Sequence, residues 1–112
     1  SDSLLYWGFW ISRSLKIKAP LLEFTKSLEE PSNPNRLIKE AALLFLGIEI
    51  QEEVINSLKT VLMSGQTNDN YWTDAWNDYL VNPGNEDKKA VVENRLKWTF
   101  QRLLQLGEYH LM

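Results

Sequence analysis

From Leu21 to Leu103 the apolar residues recur at intervals of three and four, never in sustained alternation, and that spacing predicts helices rather than sheet. The clearest stripe is Ile50, Val54, Ile55, Leu58, Val61 and Leu62, with Gln51, Glu52, Glu53, Asn56 and Lys59 left on the polar side. Acidic residues at its start suit the positive end of a helix dipole, and Gly65 is expected to close it. Upstream, Asn33 reads as an N-cap with Pro34 at the first helical position. Leu37, Ile38, Ala41, Leu44 and Phe45 then face inward until Gly47 stops the helix. Pro20 opens a shorter helix with Leu21, Leu22, Phe24 and Leu28 on its inner side.

The C-terminal half has a different texture. A loop of Thr67, Asn68, Asp69 and Asn70 leads into a helix from about Asn70 to Leu80. Trp72, Ala75, Trp76, Tyr79 and Leu80 share its inner side, and Thr73, Asp74, Asn77 and Asp78 its outer side. Asn82-Pro83-Gly84-Asn85 breaks the chain, and a last helix runs from near Asn85 to Leu106 with Val92, Leu96, Thr99, Phe100 and Leu103 inward. On it, Glu93 stands four residues before Lys97, the favourable order for an exposed ion pair of about 0.3 kcal/mol. At the other end of the chain, Ser3 to Lys16 carries Leu4, Leu5, Tyr6, Trp7, Phe9, Trp10, Ile11 and Leu15 on nearly every side. A buried helix fits that stretch, while Gly8 and the aromatic and β-branched content leave a strand open. The fold class expected is all-α: one domain over residues 1–112, a compact irregular bundle of about five helices.

Composition narrows the function classes. With 44% hydrophobic residues and a net charge of only -3, the chain has enough apolar material for a core and too little charge for a disordered segment. Its basic residues are scattered except for Arg13, Lys16 and Lys18, so no nucleic-acid partner is expected. The apolar run Leu4 to Ile11 is too short to span a bilayer. The absence of cysteine removes thiolate catalysis, disulfides and Cys-ligated metals. The chain starts Ser-Asp-Ser without Met, which reads as a segment cut from a larger protein.

Catalytic constellations are hard to assemble. His110 is the only histidine and lies near the end, where a surface role outweighs a ligand role. The serines have neither a Gly-x-Ser-x-Gly elbow nor a Ser-x-x-Lys motif, and no glycine-rich phosphate loop occurs. Glu29-Glu30 and Glu52-Glu53 are adjacent in sequence, so on a helix they diverge rather than pair. The oxygens of Asn68, Asp69, Asn70, Asp74 and Asp78 lack EF-hand spacing and are better suited to turn formation and capping. No enzyme and no cofactor are therefore expected. The remaining candidates are aromatic: Tyr71, Trp72, Trp76 and Tyr79, with Asp74 and Asp78 beside them, as core or as a stacking platform for a sugar or peptide. Trp98 lies off the inner stripe of its helix, between Arg95 and Arg102, and either meets the first segment or marks an interface.

The run Ser64-Gly65-Gln66-Thr67-Asn68-Asp69-Asn70-Tyr71-Trp72-Thr73-Asp74-Ala75-Trp76, then Tyr79-Leu80-Val81-Asn82-Pro83, resembles the end of large bacterial proteins catalogued as domain of unknown function 1800, in the form common among Bacteroidetes. Arg95-Leu96-Lys97 and the closing Leu106-Gly107-Glu108-Tyr109-His110-Leu111-Met112 are similar to the same family, although Met-Pro-Glu is commoner there than Leu-Gly-Glu. The resemblance covers Leu37 to Met112. It implies a C-terminal helical domain of an exported protein, hence periplasmic or extracellular, and carries no catalytic residues to map. Two functions follow as expectations. One is packing or assembly within the larger protein, by contact with the rest of it or by self-association. The other is a glycan- or peptide-binding module, which requires at least two of the four clustered rings to be exposed and near-coplanar. A third possibility, completion of an active site that lies elsewhere in the larger protein, has no marker in these residues.

Overall fold

Among the described residues five helices follow one another: α1 (Ala19–Lys26), α2 (Pro34–Leu46), α3 (Glu52–Leu62), α4 (Asn70–Val81) and α5 (Glu86–Leu111). The structure, a computed structural model, describes the backbone of residues 19–111 and the side chains of residues 21–107, and no strand occurs among them. The apolar segment Ser3 to Lys16, the basic group Arg13, Lys16 and Lys18, and the side chain of His110 lie outside the described residues. The all-α class expected from apolar spacing is what the chain adopts.

The turn chemistry explains where the helices stop and start. Asn33 is extended, and its Oδ1 accepts from the backbone N–H groups of Asn35 and Arg36 at 3.0 and 3.2 Å, with Pro34 next to it. Those are donors that the first helical turn leaves without partners. Replacing Asn33 with Ala is expected to cost about 1 kcal/mol of unfolding free energy in urea titration, and Asn33→Asp to restore most of it. An Ala variant indistinguishable from wild type would show that Pro34 alone sets this terminus. At the other end of α2, Gly47 takes the left-handed conformation (φ 68°) and returns its N–H to the Leu43 carbonyl at 3.0 Å. The end of α3 is closed at Gly65, as expected. Ser64 and Gly65 are both left-handed (φ 53° and 82°), and the Gly65 N–H closes on the Thr60 carbonyl at 2.8 Å.

The core is shared by all five helices. Leu21 and Leu22 of α1, Leu37, Ile38, Ala41, Ala42 and Phe45 of α2, and Ile55, Leu58 and Leu62 of α3 are buried. They meet Trp72, Trp76 and Tyr79 of α4 and Val92, Leu96, Phe100 and Leu103 of α5. The long α5 is the common wall, touched by α1, α2, α3 and α4. Two buried hydroxyls are satisfied locally: Thr25 Oγ1 donates to the Leu21 carbonyl (2.9 Å) and Thr99 Oγ1 to the Arg95 carbonyl (2.7 Å).

Several details differ from the sequence expectation. Leu44 and Leu80 point outward, 51% and 46% exposed, each about a quarter-turn from the middle of its helix's buried side. α3 begins at Glu52, after an extended Gln51, which leaves Ile50 of the expected stripe ahead of the helix. Glu93 is buried at the edge of the core and its carboxylate faces Lys89 at 3.9 Å, one turn earlier than the Lys97 pairing. Gly107 does not end α5, which continues to Leu111. It is buried against Leu46, and a Cβ built there would lie 2.6 Å from Leu46 Cδ2, so the missing side chain lets α2 and α5 close together.

Candidate functional site

The aromatic cluster is placed by α4 and turned inward. Trp72 and Trp76 stack with centroids 5.6 Å apart and planes 24° apart, and Tyr79 tilts against Trp76 at 5.5 Å. This is the near-coplanar pair that a sugar platform needs, but the two indoles are 0% and 1% exposed and Tyr79 is buried with them. The indole Nε1 of Trp72 donates to the Pro31 carbonyl at 2.8 Å, and Thr73 Oγ1 donates to the Ser32 carbonyl at 2.7 Å. Trp72 and Thr73 therefore clamp the loop between α1 and α2. Of the four rings only Tyr71 is exposed, and Asp74 and Asp78 stand in solvent with no second exposed ring beside them. The stacking platform expected as an alternative is absent from this arrangement, because the spacing of Trp72, Trp76 and Tyr79 that groups the rings also puts them on the core side.

The Asn/Asp loop ahead of α4 has structural work of its own. Asn68 Oδ1 accepts from the Asn70 N–H at 2.9 Å, the local capping that its composition implied. Asp69 is committed elsewhere. One carboxylate oxygen takes the Lys59 ammonium at 2.8 Å and the other the Asn35 side-chain amide at 3.2 Å, joining α2, α3 and the start of α4. Among the described residues no group of three or more His, Asp or Glu is placed to hold a metal ion, and no helix is long and apolar enough to cross a membrane.

At the far end of the cluster the Lys26 ammonium sits 5.2 Å from the centre of the Tyr79 ring. Hydrogen bonding to Tyr79 pushes the Lys26 ammonium above its ordinary value. That contact fastens α1 to α4 and is another structural use of an aromatic.

Trp98 is the exception among the described tryptophans. It is 53% exposed, on the side of α5 opposite the core. Val91, 41% exposed, lies seven residues before it on the same side of the helix, with Arg95 at the margin between them. Arg95 is fixed rather than free: its Nη1 donates to the Tyr71 carbonyl at 2.8 Å, and burial pushes its guanidinium below the ordinary arginine value. It stays cationic at neutral pH. Tyr71, 50% exposed, is thereby tied to α5 at the level of Arg95, and Arg102 continues the strip one turn past Trp98. The result is an apolar pair, Val91 and Trp98, edged by two guanidinium groups, with the exposed Tyr71 joined through its carbonyl at Arg95. Aromatic and arginine side chains together are the composition of protein-binding surfaces.

Of the site residues expected from sequence, the structure leaves Tyr71 and Trp98 exposed and puts Trp72, Trp76 and Tyr79 in the core. Val91 was legible only as an apolar residue off the inner stripe, next to Val92, which carries the inner role. Leu43, Leu44 and Val81 are also exposed, on other helices. Comparison of the chain with protein-family models, with curated proteins and with solved structures gives no match.

Proposed function

We propose that this chain is a non-catalytic helical domain that works by docking, using the α5 strip of Val91 and Trp98 with Arg95 and Arg102 at its edge. The observation that carries the reading is Trp98: an indole half in water on a helix that buries Val92, Leu96, Phe100 and Leu103. Leaving a tryptophan in water gives up burial energy of about 25 cal/mol for each Å² of apolar surface, which contact with a partner recovers. The sequence resemblance to the end of the domain of unknown function 1800 family supports a setting in which the partner belongs to the same exported bacterial protein, either another part of it or another copy. The glycan-binding alternative has no comparable support, since its rings are occupied by the core.

The test is photo-cross-linking from the strip. p-Benzoylphenylalanine in place of Trp98, in cells that make the protein, is expected to give a discrete protein adduct on irradiation. The same residue at the exposed Asn77 of α4 serves as the control and is expected to give none. Circular dichroism checks that both variants fold. No more adduct from position 98 than from position 77 would end the docking reading.

A further inference from the structure

The outward residues of α5 carry a symmetry that a helix meeting only water does not need. Asp87 and Val91 precede the Asn94–Arg95 peptide by the same intervals at which Arg102 and Trp98 follow it. Steps of four, seven and four residues put Asp87, Val91, Trp98 and Arg102 on one side of the helix. All four are exposed. Among the described residues neither Asp87 nor Arg102 has an ion-pair partner, and the Arg102 guanidinium reaches only the Gln105 side-chain oxygen, at 3.5 Å.

We infer that the partner of this strip is a second copy of the chain, with the two α5 helices antiparallel about a two-fold axis at Asn94–Arg95. This inference rests on the docking reading above and names its occupant. In that register Val91 of each copy meets Trp98 of the other, and Asp87 of each meets Arg102 of the other. A two-fold contact makes each pairing twice, as a surface complementary to itself must. Charge selects the direction. Parallel helices related by a two-fold axis would set Asp87 against Asp87 and Arg102 against Arg102, whereas the antiparallel register opposes unlike charges at both ends.

The dimensions fit. Asp87 to Arg102 spans about 22 Å at 1.5 Å per residue, enough for a continuous seam of four helical turns. Near the axis two Arg95 side chains would approach each other, but each is drawn off the seam toward α4 by its bond to the Tyr71 carbonyl. The exposed Tyr71, held at that level through its carbonyl, stands near where the two copies are closest.

Sedimentation equilibrium of the whole chain tests this. The expected result is a reversible monomer–dimer equilibrium. Asp87→Arg and Arg102→Asp each weaken it by about tenfold in Kd, and the two together return it to within about twofold of wild type. Trp98→Ala weakens it by about 30-fold or more. All four residues are exposed, so at concentrations low enough to keep every chain monomeric the thermal midpoints of the variants should stay within a few degrees of wild type, which separates lost association from lost folding. A wild-type chain that stays monomeric at millimolar concentration overturns the inference, and so does a dimer that ignores both charge reversals or is not rescued by the double swap. If position 98 then cross-links to a different protein, the docking reading survives and only the second copy is wrong. If it cross-links to nothing, both fall.

Discussion

Trp72→Ala lowers the unfolding free energy by about 3–5 kcal/mol, the range for removing a large buried aromatic from a core. Trp72 is fully enclosed, stacked on Trp76, and its N–H holds the Pro31 carbonyl. The loss is large against the margin of about 5–15 kcal/mol typical of a whole domain. At about 4–8 °C per kcal/mol for a chain near this length, the thermal midpoint falls by about 12 °C or more. Trp72→Phe divides the effect. It keeps a ring against Trp76 but takes away the donor, and a cost of about 1 kcal/mol for the hydrogen bond adds to the missing ring volume. Pro31 is only half-buried, so water can reach its carbonyl, which keeps that part at the low end. Urea unfolding followed by circular dichroism measures both. A Phe variant as stable as wild type would show that the Pro31 bond contributes nothing. An Ala variant losing less than about 1 kcal/mol would put Trp72 outside the core altogether.

The same residue shows how far the sequence could be read. The spacing of Trp72, Trp76 and Tyr79 placed all three on one helix side, and burial of that side follows from periodicity. Periodicity does not show that the Trp72 donor crosses to Pro31, because nothing local marks a partner so far away in the chain. Asn33 with Pro34 and Gly47 were legible because capping is chemistry between near neighbours. The end of α5 was placed too early, at Leu106, and only the approach of Leu46 from α2 shows what the glycine that follows, Gly107, makes room for. Leu44 and Leu80 failed at the margin of their stripes, where an apolar residue matches the helical period loosely and the position of the neighbouring helix decides. Glu93 failed similarly, since the i,i+4 rule favours Lys97, with Glu ahead of Lys, and the fold chose Lys89. For the candidate surface, Trp98 stood out in sequence because it broke the stripe of α5. Val91 did not stand out, because exposure of one apolar side chain is ordinary and gains meaning only beside Trp98 and the bound Arg95.

Phe100→Ala is expected to cost as much as the Trp72 truncation, about 3–5 kcal/mol, and to act on a different part of the fold. Its ring is fully buried and meets Phe45 edge-on at 5.6 Å and Phe24 edge-on at 6.1 Å, while Phe24 and Phe45 lie 4.6 Å apart. Three helices supply the three rings, and α5 is the main neighbour of the short α1. An eight-residue helix has too few hydrogen bonds to persist unaided, so α1 is held by what it packs on. Truncating Phe100 should therefore loosen α1 before the rest of the bundle. Hydrogen exchange at the amides of Phe24 and Thr25 should accelerate at denaturant concentrations where Leu58 and Leu96 remain protected. Phe100→Leu keeps most of the volume and should cost no more than about 1.5 kcal/mol. Combined with Phe45→Leu in a double-mutant cycle, it should reveal a coupling of about 0.5–1.5 kcal/mol from the edge-on contact itself. Zero coupling would reduce the three rings to filler of the right size. Uniform loss of protection across all helices would show instead that α1 is part of the global unfolding unit, and that α5 holds the bundle as one piece.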